Sequence, residues 1–372
     1  MRRLLPALFL LLAACGYGVE AAETAPPVAA PTTAPSTTTT TTTTTSSTTT
    51  TTTLPPTTTS STTTTLPPTQ ELVIHGVGDV ALDPAYIPAL VSAPGGYHWA
   101  WSGLDLLFWD SLTVVNMECP VSDKGTIIPK AFNFRCDPAS LDEARFAGVD
   151  VANQANNHLL DFGTEALLDS IVQLEAAGIG SVGSGADAEE AYAPHLVERN
   201  GWTVAVLGFG GVIPGASWLA TEDAPGMASG DDTERMVAAV AAAGEVADFV
   251  VVTIHWGMEL DTSPRADDMA RAKAMVEAGA DIIFGHHQHR LGPMSWYRGA
   301  PIFWGLGNFV WPRNSVPSAD TAVAEVRISA DGEIIEACMI PATIVSSGHP
   351  TLDDPYTGCE GVDSPMLDLG ED

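Results

Sequence analysis

The chain has 372 residues, and its 46 acidic against 15 basic side chains give it a formal charge of −31. That excess argues against nucleic acid or a polyanion as a general partner, and it requires any anionic substrate to be received locally, where bound metal reverses the field. Apolar residues make up 45% of the chain, enough for one large core, but the first seventy or so positions contribute little to it.

Residues 1–14 have the form of an export signal, with Arg2 and Arg3, an apolar stretch from Leu4 to Leu12, and the small pair Ala13-Ala14. Cys15 follows directly, and Leu12-Ala13-Ala14-Cys15 resembles a bacterial lipobox, whose cysteine is acylated and becomes the new N-terminus. The expectation is an extracytoplasmic protein, lipid-anchored through Cys15 to the outer face of the cytoplasmic membrane. An ordinary secretory signal and a short anchor are the alternatives, although the apolar run is well below the ~20 residues of a span. Residues 15–70 form the expected linker. From about Ala30 to Pro68 it is almost wholly threonine with serine and proline breaks, a disordered stalk composition. At about 3.1 Å per residue such a tether reaches on the order of 150 Å.

Foldable sequence begins at Glu71, and an α/β domain is expected over residues 71–345, followed by an acidic tail over 346–372. Strands are predicted at Leu72–Gly78, Leu112–Met117, Val149–Asn153, Thr203–Gly208, Phe249–His255 and Ile282–Gly285. Alanine-rich amphipathic helices are predicted at Thr164–Ala177, Asp232–Ala247 and Arg265–Ala278, interleaved with them as α/β layering requires. Pro301–Leu306, Ala322–Ser329 and Ile334–Ile340 read as antiparallel strands closing a second sheet, the last two joined by an Asp331-Gly332 hairpin turn.

Nearly every predicted buried strand ends in a potential metal or phosphate ligand. Asp79 follows Val77-Gly78, Glu118 ends Val114-Val115-Asn116-Met117, and Asn157 and His158 follow the Val149 strand. His255 ends another apolar run, and His287 and His289 follow Ile282–Gly285. Singly, these have ordinary structural explanations. As a set they converge, because the carboxyl ends of strands in open α/β sheets share one crevice. Carboxylate, amide oxygen and imidazole without thiolate suit two divalent ions drawn from Mn, Fe, Zn or Co. Two ions about 3.5–4 Å apart activate water and clamp a phosphoryl oxygen for in-line hydrolysis. Glu118, the one carboxylate in a motif between the first strand and the histidines, is the expected bridge.

These motifs resemble those of the CapA/PgsA family of capsule and poly-γ-glutamate synthesis proteins, within the calcineurin-like metallophosphoesterase superfamily. The resemblance spans roughly Leu72 to Ile344. It rests on Gly78-Asp79, Asn116-Met117-Glu118-Cys119-Pro120, Ala155-Asn156-Asn157-His158 with Asp161 and Gly163, His255-Trp256-Gly257 with Glu259, Gly285-His286-His287-Gln288-His289, and Leu306-Gly307-Asn308-Phe309-Val310. It implies a four-layer α-β-β-α sandwich with metals at one edge of the sheets. It further implies that Asp79 and His289 hold one ion, that Asn157, His255 and His287 hold the other, and that Glu118 bridges them. His158 would protonate the leaving oxygen, and Asp161 would either orient that imidazole or cap the helix from Thr164. The chain lacks the basic residue that many members carry about four positions after Asp79, and it lacks the Asp-X-His form of the first motif. His75 and His286 are expected to be structural.

With Cys15 lipidated, Cys119, Cys136, Cys338 and Cys359 allow three disulfide pairings. Chain order favours Cys119 with Cys136 and Cys338 with Cys359 over a thiolate metal site. Tyr97-His98-Trp99 is a candidate sugar or peptide platform, whereas Trp304 and Phe309 are expected in the core. The leading expectation is a surface-anchored hydrolase acting on an envelope polymer or its phosphorylated precursor, with a capsule synthesis complex as a candidate partner. A non-catalytic polymer-binding or export assembly factor, and a metal-dependent amidohydrolase, are the alternatives.

Overall fold

The computed structural model describes residues 69–104 and 107–370. The expected signal segment, Cys15 and the threonine-rich stretch from Ala30 to Pro68 lie outside the described residues. No helix among the described residues is long and apolar enough to cross a membrane.

The first strand, β1 (Leu72–Val80), is buried at all but one position, as its almost unbroken apolar run requires of a strand covered on both faces. The chain continues through α1 (Ala89–Ser92), β2 (Leu112–Met117), α2 (Leu141–Ala147), β3 (Val149–Asn153), α3 (Gly163–Ala176), β4 (Gly180–Val182), β5 (Ser184–Gly185) and α4 (Ala188–Ala191). Then come β6 (His195–Arg199), β7 (Trp202–Gly210), β8 (Gly226–Met227), α5 (Thr233–Gly244), β9 (Phe249–His255), α6 (Ala266–Glu277) and β10 (Ile282–His286). The last elements are β11 (Met294–Tyr297), β12 (Ala300–Phe303), β13 (Asp320–Ile328), β14 (Ile334–Ser346) and β15 (His349–Leu352).

Two large sheets result. The first has the order β15-β14-β13-β1-β2-β3-β4 and the second β11-β12-β10-β9-β7-β6. Strands β1 to β4 are mutually parallel, as are β7, β9, β10 and β12, while β13 to β15, β6 and β11 add antiparallel at the margins. Successive side chains face opposite layers. Val114, Val151, Val206 and Val251 pack between the sheets. Their neighbours Val115 and Ala152 pack outward with Leu141 of α2 and Leu174 of α3, and Leu207 and Val252 pack outward with Met236 of α5 and Met275 of α6. The protein is therefore a four-layer α-β-β-α sandwich.

The expected helices differ from α3, α5 and α6 by a few residues at most. Asp232 is a cap accepting from the Arg235 N–H rather than a helical residue. Two sequence readings are corrected. β13 and β14 join the first sheet through β1, with His75 opposite Glu325 and Val77 opposite Val323. Of the three late strands only β12 lies in the second sheet, where it runs parallel to β10. The expected domain end at 345 also falls inside β14. Beyond it β15 pairs with β14, Cys359 is disulfide-linked to Cys338, and the Ser364 hydroxyl accepts from the Met339 N–H. Met294 of β11 donates to the Pro365 carbonyl and accepts from the Leu367 N–H. The acidic segment is thus a strap touching both sheets, because its few apolar residues have partners on each.

His75 and Glu325 form a buried cross-strand pair, with Nε2 3.0 Å from Oε2. Nδ1 lies 2.8 Å from the Ser111 hydroxyl, and the Tyr356 hydroxyl donates to Glu325 at 2.7 Å. Burial pushes the Glu325 carboxyl up, but the hydrogen bonds from His75 and Tyr356 outweigh it and hold the group below its ordinary value. Its stabilising contribution is therefore present above the ordinary carboxylate range and is lost as pH falls through the lowered value. In urea denaturation, Glu325→Ala is expected to cost about 3–5 kcal/mol because it strands His75. The double replacement by leucine at both positions should cost less than that single change.

Candidate metal centre

The carboxyl ends of β1, β2, β9 and β10 meet at one edge of the sandwich. Asp79 is the penultimate residue of β1, Glu118 follows β2, His255 ends β9, and His287 and His289 follow β10. Backbone crowding there requires glycine. A Cβ on Gly78 would sit 2.2 Å from the Gly307 carbonyl oxygen, and one on Gly285 would sit 2.3 Å from that of Trp304. The segment 304–308 therefore lies directly against both strand ends. It is fixed by the Asp79 N–H donating to Gly307 at 2.9 Å and the Phe309 N–H donating to Asp79 at 2.8 Å. After β10, His287 and His289 adopt φ of 95° and 53°, a left-handed conformation that costs on the order of 1–3 kcal/mol per residue.

Two candidate ligand groups share one carboxylate. Asp79, Glu118 and His289 each offer an atom within 4.8 Å of the others, and so do Glu118, His255 and His287. Asn157 Oδ1 lies 2.8 Å from His255 Nε2 and adds an amide oxygen to the second group. All six residues named from the sequence are thus brought together. Glu118 is fully buried, and neither of its carboxylate oxygens has a hydrogen-bond partner. The imidazole nitrogens of His158 and His255 stand 3.8 Å away and that of His289 4.0 Å. His287 Nδ1 is also buried without a partner. A native fold seldom leaves such groups unpaired, and cations held by this donor set would satisfy them. The residues fit divalent metal.

The charge states agree with that fit. Burial, reinforced by the Asp79 charge, pushes Glu118 well above its ordinary range. Asp79 is itself buried, but the hydrogen bond and charge of His289 overcome this and hold it low. Burial and the neighbouring imidazoles press His255 well below its usual value, and burial with His289 brings His287 down to about 4. Both rings are neutral at neutral pH, the form in which imidazole ligates. His286 has its Nε2 2.9 Å from the Thr253 hydroxyl, and burial lowers it to about 4, in keeping with a structural role.

His158 Nδ1 lies 2.6 Å from Asp161 Oδ2, which leaves Nε2 on the Glu118 side. Asp161 does not cap α3, whose N-cap position is Phe162 with no side-chain cap. It also accepts from the Phe134 N–H at 2.7 Å. Sequence reasoning missed two elements here. Lys130 Nζ reaches Asp161 Oδ1 at 2.5 Å and the Asn157 carbonyl at 2.6 Å; it lies in a loop with no periodicity to flag it. That loop is closed by the Cys119–Cys136 disulfide and pinned by the Ile128 N–H donating to the Asp161 carbonyl at 2.8 Å. Asn116 was the second. It stands opposite Asp79 in the β1–β2 register, donates to Asp79 Oδ1 at 2.9 Å and lies 3.1 Å from His255 Nδ1. A polar residue inside an apolar strand was its signal. At the candidate platform, the Tyr97 hydroxyl lies 2.5 Å from Asp137 and Trp99 is stacked on His349, and both rings are half-buried.

Two face-packed sheets flanked by helices, with carboxylates and imidazoles gathered at the ends of the parallel strands, define an α-β-β-α sandwich protein with a candidate metal centre at one edge. The chain belongs to the bacterial capsule synthesis protein family PGA_cap, whose model matches residues 73–313. It is 33% identical over 204 residues to the PGA biosynthesis protein CapA of Bacillus subtilis, a match covering 55% of this chain and 53% of that protein. It thus spans about half the length of that relative. It is 29% identical over 275 residues to a Mycobacterium tuberculosis protein named "Probable polyglutamine synthesis accessory protein", covering 68% of this chain and 72% of that one. Among solved structures, Haemophilus influenzae NAD nucleotidase aligns with a TM-score of 0.42 and 13% identity over 78% of this chain and 54% of its own.

Glu118→Gln should bind less added Mn²⁺ than the parent in equilibrium dialysis. Its metal-free form should be about 1–3 kcal/mol more stable than the metal-free parent near neutral pH. Because the folded pKa of Glu118 is raised, its cost grows as pH rises above the ordinary carboxyl range, so the difference should close in acid.

Proposed function

We propose that this chain is a two-metal hydrolase of phosphate esters, exported and anchored through Cys15, acting on an envelope polymer or its phosphorylated precursor in capsule or poly-γ-glutamate synthesis. The observation that carries the hydrolase reading is Glu118, a buried carboxylate without partners that is common to two ligand groups. The names of the Bacillus and Mycobacterium relatives supply the polymer. Export and anchoring rest on the sequence of residues 1–15 alone.

Asp79 and His289 would hold one ion, Asn157, His255 and His287 the other, and Glu118 both. Bound there, a pair of divalent ions supplies Lewis acidity to a phosphoryl oxygen and makes water nucleophilic near neutral pH. The chain's own residues do the rest. Asp161 fixes the His158 ring through Nδ1 and so leaves Nε2 to hand a proton to the departing oxygen. Lys130 holds Asp161 and the Asn157 carbonyl in place and so joins the proton donor to the ligand loop. Burial lowers the His158 pKa despite Asp161, so the neutral ring predominates and must gain its second proton as substrate arrives.

The test is elemental analysis of the purified protein, paired with phosphomonoester and phosphodiester assays in Mn²⁺. About two ions per chain with turnover is the expected result. Metal without turnover would favour a polymer-handling role instead, and absence of metal would remove the site. His158→Ala should lower kcat by roughly 10²–10⁴-fold with metal content near the parent's; loss of metal would make His158 a ligand.

A further inference from the structure

Beside the ligand cluster lies a cleft of about 330 Å³ whose walls include Tyr86, Phe132, Phe134 and Trp311, with Glu259 and Asn314 also lining it. It reaches His158 and His289. Its aromatic rings form a connected wall. Phe134 stands edge-on to Tyr86 at 4.7 Å and to Trp311 at 5.2 Å, 4.3 Å from the His158 ring, and Trp311 lies 4.8 Å from His289. Phe134 and Trp311 are buried, but Phe132 is 63% and Tyr86 40% exposed. Large rings left in water beside a reactive site mark a binding surface rather than core.

The charges of the cleft restrict what it can bind. Among the described residues no lysine or arginine lines it, and Glu259 is its one carboxylate. Of the nearby cations, Lys130 is engaged by Asp161 and the Asn157 carbonyl, and the exposed Arg313, between the lining residues Pro312 and Asn314, does not itself line the cleft. A polyanionic chain would meet Glu259 with no cationic side chain in the lining to offset it, on a protein already at −31. A neutral pyranose fits: its C–H face lies on aromatic rings, and its hydroxyls pair with a carboxylate and an amide.

We propose that this cleft is the leaving-group subsite and takes a neutral saccharide ring, so that the substrate is a phosphate ester of a neutral sugar rather than of a γ-linked glutamate chain. This rests on the hydrolase reading above. In the step, the oxygen of water bonds to phosphorus and the bond from phosphorus to the sugar oxygen breaks. That oxygen takes a proton from His158, and the proton released by water replaces it. The free sugar leaves through the aromatic cleft, on the His158 side.

The test compares kcat/KM for N-acetylglucosamine 1-phosphate and glycerol phosphate on the Mn²⁺-loaded full chain. The parent should prefer the sugar ester, and Phe132→Ala should reduce that preference roughly three- to tenfold. Its thermal unfolding should be unchanged, because the ring is exposed. An unaltered preference in Phe132→Ala, or stronger competitive inhibition by a γ-glutamate oligomer than by a neutral N-acetylglucosamine oligomer, would overturn the proposal. Should neither ester turn over, the hydrolase reading falls. The cleft is then judged by calorimetric titration with the neutral oligomer, where binding weakened in Phe132→Ala supports the subsite and absence of binding removes it.

Discussion

The site is organised around a carboxylate that has nothing to bind to within the protein. Glu118 lies at the end of a strand whose every residue is buried, and its surroundings offer imidazole nitrogens just beyond hydrogen-bond reach. The rest of the architecture follows from supplying its neighbours. Parallel strands from both sheets end at the same edge, glycines at 78 and 285 let a third segment lie against them, and two histidines take up unfavourable backbone angles to face inward. Each feature costs stability in the isolated chain, and each is explicable if the fold was selected with cations in place.

Much of this was legible in the sequence, for a physical reason. Strands buried on both faces appear as uninterrupted apolar runs, so the polar residue that ends such a run stands out; Asp79, Glu118 and His255 were found this way. The sheet to which β13 and β14 belong was not legible, because an antiparallel strand with a hairpin partner satisfies the edge of either sheet equally well in one dimension. Lys130 was invisible for a different reason. Its role depends on the path of a loop shaped by the Cys119–Cys136 link and by hydrogen bonds to the turn after β3, none of which leaves a periodic trace.

His158 and the candidate ligand groups are not separate modules. Lys130 touches both the Asp161 carboxylate and the carbonyl of Asn157, whose side chain meets His255, and Asn116 joins Asp79 of the first sheet to His255 of the second. Rearranging one half of the site therefore disturbs the other. The aromatic cleft continues from that shared wall, since Phe134 packs on His158 and its backbone N–H binds Asp161. Recognition of a leaving group and placement of its proton would then be set by one loop.

The C-terminal strap has a consequence for how copies of this chain coexist. β11 is the outermost strand of the second sheet, and two of its four residues, Met294 and Ser295, are fully or almost fully buried. Left open, such an edge invites a strand from another molecule. Met366 pairs with Met294, and the backbone on either side of it supplies the missing hydrogen bonds. An extended segment with acidic residues at Asp363 and Asp368 thus occupies the position where stacking would begin and presents charge to anything approaching it. Where copies of this protein are crowded together, this segment would keep them from joining edge to edge into aggregates.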